Sequence, residues 1–165
     1  MSHTHHLAQI NLARMVAPLD DPRMAEFVAQ LGPINALADR SPGFVWRLQA
    51  EAGNATDLRV LDDPRILVNM SVWESIETLH AYVFKSAHAG VMRDRKRWFE
   101  KYDGPYYALW WIERGHIPTV AQGLERVRML AERGPSAESF WFGSVPLDPS
   151  SSQMPSGVGR PVSSR

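Results

Sequence analysis

The sequence predicts an α+β domain whose antiparallel sheet is wound on a split βαβ plan. Three observations predict it. Leu7–Arg14, Phe44–Gln49 and Ile66–Trp73 read as strands by the alternation of their faces, and Tyr106–Ile112 reads as a fourth by its continuous aromatic run. Helical spacing of apolar residues separates the first run from the second and the third from the fourth. The second and third runs are joined by a polar stretch with no helical pattern, as two strands of a hairpin would be. At 165 residues the chain suits one domain able to bury a real core.

Met1–His6 is a polar terminus, and its His3, His5 and His6 read as frayed chain rather than as a chelating set. In the first strand Ala8, Ile10 and Leu12 share one face, and Leu7, Gln9, Asn11 and Ala13 the other. Asp21 can cap a helix opened by Pro22, with Met24, Phe27, Val28 and Leu31 as its stripe. Gly32-Pro33 should kink or break that helix, Ile34–Arg40 resumes it, and Ser41-Pro42-Gly43 ends it. Phe44–Gln49 is the second strand. Ala50–Arg65 reads as a solvated hairpin connection, with a lid as the functional alternative. In Ile66–Trp73 the face Ile66, Val68, Met70 and Val72 is wholly apolar, while Leu67, Asn69, Ser71 and Trp73 make a mixed one. Ser75 caps a helix from Ile76 to Phe84.

The chain is organised around residues 86–113. As one helix, His88, Val91, Met92, Arg95, Trp98, Phe99 and Tyr102 fall on a single arc, with charged residues opposite. His88 and Arg95 stand about two turns apart on that arc, and a buried guanidinium needs a partner, a ligand or water. Asp103-Gly104-Pro105 turns the chain into the aromatic strand Tyr106–Ile112. Thr119 and Gln122 form a capping box for a further helix that runs to Arg133 and stops at Gly134-Pro135. Ser139–Phe142 reads as a short aromatic strand or strap. Residues 144–165, rich in Ser, Pro and Gly, are expected to be a disordered tail behind a domain spanning residues 7–143.

Element order makes this the ferredoxin-like plan with a C-terminal helix and short strand added. The crossover helices should meet Ala8/Ile10/Leu12 and Ile66/Val68/Met70/Val72. The other face, with Gln9, Asn11, Asn69, Ser71 and Trp73, is too apolar for water and too polar for a dry core. It should be covered by a second subunit or should line a cavity.

Composition narrows the chemistry. Lys+Arg and Asp+Glu are both 18 with no basic block, which disfavours nucleic acid. The chain has no cysteine, which removes disulfides, cysteine-ligated metals and cysteine nucleophiles. No apolar run approaches the ~20 residues of a membrane helix and no signal peptide opens the chain, so a cytoplasmic protein without a membrane partner is expected. His-Glu-x-x-His, phosphate-loop and nucleophile-elbow patterns are absent, and no cluster has metal-ligand spacing.

Several runs carry a resemblance. Val72-Trp73-Glu74-Ser75 and the residues on to Ser86-Ala87-His88 resemble the strand–helix signature of the dimeric α/β-barrel superfamily, which includes the antibiotic-biosynthesis monooxygenases. Ser41–Leu48, Arg97-Trp98-Phe99, Leu109–Ile112, Gly115–Thr119 and Gly134-Pro135-Ser136 resemble an uncharacterised domain family within it. The resemblance spans about residues 7–143 and implies a dimeric α/β-barrel fold, a homodimer with a cavity between helices and sheet. Relatives of that kind oxygenate aromatic polyketides without cofactor, bind or degrade haem, or isomerise small acids.

His88 follows a Ser-x-His step that in the superfamily often points a histidine into the cavity. It is the candidate general base, with a backbone-satisfied core histidine as the bland alternative. Arg95 would anchor a carboxylate or enolate, against a structural pair with Glu74 or Asp39. Asn11, Asn69 and Ser71 could offer hydrogen bonds from the sheet, and Trp46, Trp73, Trp98 and Trp110 could wall a flat ligand or be plain core. His80 and His116 read as packing and loop-orienting residues. The enzyme reading is proton abstraction from a flat aromatic or polyketide-like small molecule, followed by cofactor-free oxygenation. One alternative is a haem protein with His88 or His80 as axial ligand. The other is a non-catalytic dimer that binds a metabolite.

Overall fold

The computed structural model describes residues 3–49, 63–86 and 88–152. Four strands, β1 (His5–Arg14), β2 (Phe44–Arg47), β3 (Ile66–Trp73) and β4 (Tyr107–Glu113), form one sheet in the order β2-β3-β1-β4. Every neighbouring pair is antiparallel. The helix α1 (Ala25–Arg40) joins β1 to β2, and α2 (Ile76–Lys85) with α3 (His88–Asp94) joins β3 to β4. This is the expected α+β, split βαβ fold. The expected lid, residues 50–62 of the β2–β3 connection, lies outside the described residues.

Three helical expectations meet corrections. First, α1 runs unbroken through Pro33. The ring removes one N–H and frees the Ala29 carbonyl, but Ala29, Gly32 and Pro33 are all exposed, so water satisfies it. Phe27 and Ala38, both buried, hold the helix on either side of the flaw.

Second, the organising helix is short. It ends at Asp94, and Arg95–Arg97 tighten into a 3₁₀ turn. The reason lies just beyond it. Val16 N–H donates to the Trp98 carbonyl (2.8 Å) and Glu100 N–H to the Arg14 carbonyl (2.8 Å), so the chain pairs with the end of β1 instead of coiling on. Trp98 is thereby buried among Met15, Met24 and Phe27.

Third, the faces are exchanged relative to expectation. The apolar face of Ala8, Ile10, Leu12, Val68, Met70, Val72, Ala108 and Trp110 is covered by a fourth helix, α4 (Val120–Arg133), through Val127 and Leu130. Gly123 lets that helix lie close, since a Cβ there would stand 2.7 Å from Ile10 Cδ1. The crossover helices pack on the mixed face: α2 brings Leu79 to Leu7, Trp73 and Leu109, and α1 brings Phe27 beside Met15 and Trp98. Right-handed crossovers place both on the same side, and α4 takes the side that remains.

The strap at residues 139–142 seals the outer edge of β4. Phe140, fully buried, exchanges two backbone hydrogen bonds of 2.9 Å with Leu109. Ser139 Oγ donates to the Arg126 carbonyl (2.7 Å), tying the strap to α4. Beyond it, Ser150 Oγ accepts the N–H groups of Thr4 and His5, each at 3.1 Å.

Candidate functional site

Sheet register brings the polar residues of the mixed face together. Gln9 stands opposite Ser71 on β3, Asn11 opposite Asn69, and Arg47 on β2 opposite Ser71. Side chains directly opposite on one face are neighbours within ~5 Å. Gln9 Nε2 donates to Asn69 Oδ1 (2.7 Å) and to Ser71 Oγ (2.9 Å). Trp73 Nε1 donates to the same Ser71 Oγ (2.8 Å). Ser71 and Trp73 are buried, Gln9 is half-buried and Asn69 is exposed, so the row opens to solvent at Asn69.

These bonds leave a defined surplus. With Gln9 donating twice, its carbonyl oxygen and the Asn69 amino group remain for a ligand. Turning both amides over reverses the roles and leaves the Gln9 amino group and the Asn69 carbonyl. Either way the row presents one donor and one acceptor, the complement of a molecule bearing adjacent hydroxyl and carbonyl groups.

A stack of rings rises from the row. Tyr82 of α2 lies nearly parallel to Trp73, with centroids 5.0 Å apart and planes at 26°. Its hydroxyl donates to the Ile34 carbonyl of α1 (3.4 Å), and burial pushes its pKa up to about 12. The His88 ring sits 4.9 Å from that of Tyr82. His88 Nδ1 faces the Val83 carbonyl at 3.4 Å, which favours the tautomer with its proton on Nδ1 and the lone pair on Nε2. Burial pushes the His88 pKa below the ordinary histidine value, opposed in part by that carbonyl, so the ring is neutral near pH 7. Arg47 borders the row, with its Nε bonded to Asp39 of α1 at 2.8 Å.

The residues expected at a site are thus divided. Asn11, Asn69, Ser71 and Trp73 share the row's face, while His88 packs on Tyr82, the ring that stacks on Trp73. The indole N–H of Trp73 is taken by Ser71 Oγ. Trp46 and Trp110 belong to the opposite face, under α4, and Trp98 is core beside α1. The helix α3 ends one residue before Arg95, whose guanidinium rests over the Tyr106 ring at 5.0 Å. Asp39 pairs with Arg47 rather than with Arg95. His80 packs on Phe84 and Phe142, and His116 Nε2 meets Gln122 Oε1 at 3.2 Å. Reasoning from sequence missed Gln9, Arg47 and Tyr82 as site residues. Tyr82 carried a signal, three residues after Leu79; Gln9 lay on the expected mixed face with Asn69 and Ser71, but its bonds to them became visible only with the partner strand's register.

Two open recesses lie away from the row. One, of about 560 Å³, runs between α2 and α3 past Val83, Ser86, Gly90 and Met92. The other, of about 530 Å³, lies at the start of β4 against Tyr106, Tyr107 and Trp141.

A family model described as "Domain of unknown function (DUF3291)" matches residues 6–155. No curated protein matches the chain. Among solved structures, the chain is similar to SnoaB, a cofactor-independent oxygenase from Streptomyces nogalater, with 18% identity and a TM-score of 0.47. That match covers 69% of this chain and 98% of that one. It is also similar to a protein of unknown function from Nitrosomonas europaea, with 14% identity and a TM-score of 0.44, covering 71% and 96%. At such identities and TM-scores nothing about activity follows from the likeness.

Proposed function

We propose, for this chain, which belongs to the DUF3291 family, that the helix-roofed face of its sheet binds a flat small molecule and that His88 removes a proton from it. The observation that carries this reading is the Gln9–Asn69–Ser71 row, internally bonded yet open at Asn69. A fully packed core would have no use for a surplus amide donor and acceptor at its mouth.

The chemistry suited to these groups is acid–base. A ligand with an acidic C–H between carbonyl-bearing rings, or a phenol, gains oxyanion character as its proton leaves. An amide N–H of the row would receive that charge, and the free lone pair of neutral His88 would receive the proton. Tyr82, held between Trp73 and Ile34, would keep the imidazole in place. A carbanion so formed can pass electrons to dioxygen, turning a CH₂ into a carbonyl while the second oxygen atom leaves as water. Substrate and dioxygen then supply every electron.

The test is to incubate purified protein with an anthrone under air and follow quinone formation by mass spectrometry. Turnover that falls ten-fold or more in His88→Ala and in Asn69→Ala supports the reading. Turnover that neither substitution changes overturns it, as does ligand binding with no reaction.

A further inference from the structure

The start of β4 carries a cation that the row above does not employ. Arg95 is half-buried, and among the described residues no carboxylate pairs with it. Its neighbours are otherwise occupied: Arg97 pairs with Glu26, and Glu100 with Arg65. The acids left nearby, Asp94 and Asp103, are exposed. Counting residues 93–103, five basic side chains face three acidic ones, so the local field is positive. Arg95 Cζ stands 5.0 Å from the centroid of the Tyr106 ring, a cation set over an aromatic face.

Tyr106 also lines the recess of about 530 Å³, with Gly104, Pro105, Tyr107 and Trp141. That volume is in the range of small-molecule sites. The Tyr106 and Tyr107 rings are 5.3 Å apart, so the recess is walled by aromatic faces. Tyr107 Oη accepts the Phe142 N–H at 3.4 Å, and its own proton has no acceptor among the described residues. The Asp103-Gly104-Pro105 turn leaves the mouth open: Gly104, at φ +84°, has no atom within 4 Å of where a Cβ would stand.

We propose that this recess is a second ligand site, for a planar aromatic carboxylate. The ring would lie among Tyr106, Tyr107 and Trp141, and the carboxylate would take the guanidinium fork of Arg95 and the phenolic proton of Tyr107. The class follows from the surplus groups. The recess offers the Tyr107 hydroxyl, and the Arg95 cation stands against Tyr106 of its wall, so it suits an anion; a guanidinium fork matches a carboxylate's two oxygens, and the walls match a flat ring. The site stands at the edge of the sheet and does not depend on what the Gln9–Asn69–Ser71 row does.

The experiment titrates the full chain with 2-naphthoate and, separately, with its neutral isostere 2-naphthamide, by calorimetry. Naphthoate should bind at least ten-fold tighter than naphthamide, and Arg95→Gln should erase that difference while leaving naphthamide binding as it was. Trp141→Leu should weaken both probes, and added salt should weaken only naphthoate. In ¹⁵N spectra the shifts should centre on Gly104, Tyr107 and the Trp141 indole. Equal affinity for the two probes, no binding of either at millimolar concentration, or shifts confined to Gln9 and Ser71 would each overturn the proposal.

Discussion

Ser71 shows how one hydroxyl can organise a site. It accepts from both Gln9 and Trp73. Ser71→Ala should cost about 1–3 kcal/mol, because a buried indole N–H loses its acceptor. Urea unfolding measures this, and a change below the error of the fit would mean that water replaces the hydroxyl. His88 gives a second expectation, in its response to pH. Its folded pKa is depressed, so the unfolded chain binds the proton more tightly. The stability it contributes is therefore complete above the ordinary value near 6.5 and is lost as pH falls from there through the folded value. Replacing His88 by Gln should flatten the stability profile in that window, while a profile of unchanged slope would place the acid sensitivity elsewhere. His6, also depressed by burial, titrates in the same direction and stays as the background against which the difference is read.

At the scale of elements, the two long helices make opposite statements. The helix α1 tolerates Pro33 only because its freed carbonyl faces water, so Pro33→Ala should raise stability by about 1–3 kcal/mol as the missing hydrogen bond is restored. A lower melting temperature for that variant would show that the ring makes a packing contact of its own. By contrast α4 has no slack at Gly123. Even the single carbon of alanine would press on Ile10 Cδ1 at 2.7 Å and on Met70 Cε at 3.2 Å. Gly123→Val should therefore destabilise by about 1–3 kcal/mol despite the better side chain for helix burial, and more if the helix is displaced. Thermal melting of the two variants side by side separates the effects.

For the whole molecule, the decisive feature is that both faces of the sheet are covered from within one chain. The crossover helices roof the mixed face and α4 closes the apolar one. A chain truncated after Pro118 would expose Ile10, Met70, Val72 and Trp110 together, an apolar patch that water does not tolerate. It should self-associate or bind a hydrophobic dye strongly, as read by light scattering and fluorescence. The full chain at the same concentration should do neither through that face. Strong dye binding by the full chain would mean that α4 leaves the sheet in solution.

How much of this was legible beforehand differs from residue to residue. Alternation located three strands and an aromatic run the fourth, and Ser75 and Thr119 announced their helices, because capping, periodicity and composition are local properties of neighbouring residues. The asymmetry between an all-apolar face and a face bearing Asn69 and Ser71 was also readable. Which face each helix would cover was not, since both faces carry enough apolar surface to attract one, and handedness settles the matter only once the chain is threaded. The pairing of Gln9 with Ser71, the stack of Tyr82 on Trp73, the loss of Trp46 and Trp110 to the far face and the seating of Arg95 over Tyr106 all depend on register and on contacts between distant residues. The amino-acid order by itself determined the elements, their succession and the split βαβ plan. Only the tertiary structure decided which polar side chains meet, because that depends on contacts between residues far apart in the chain.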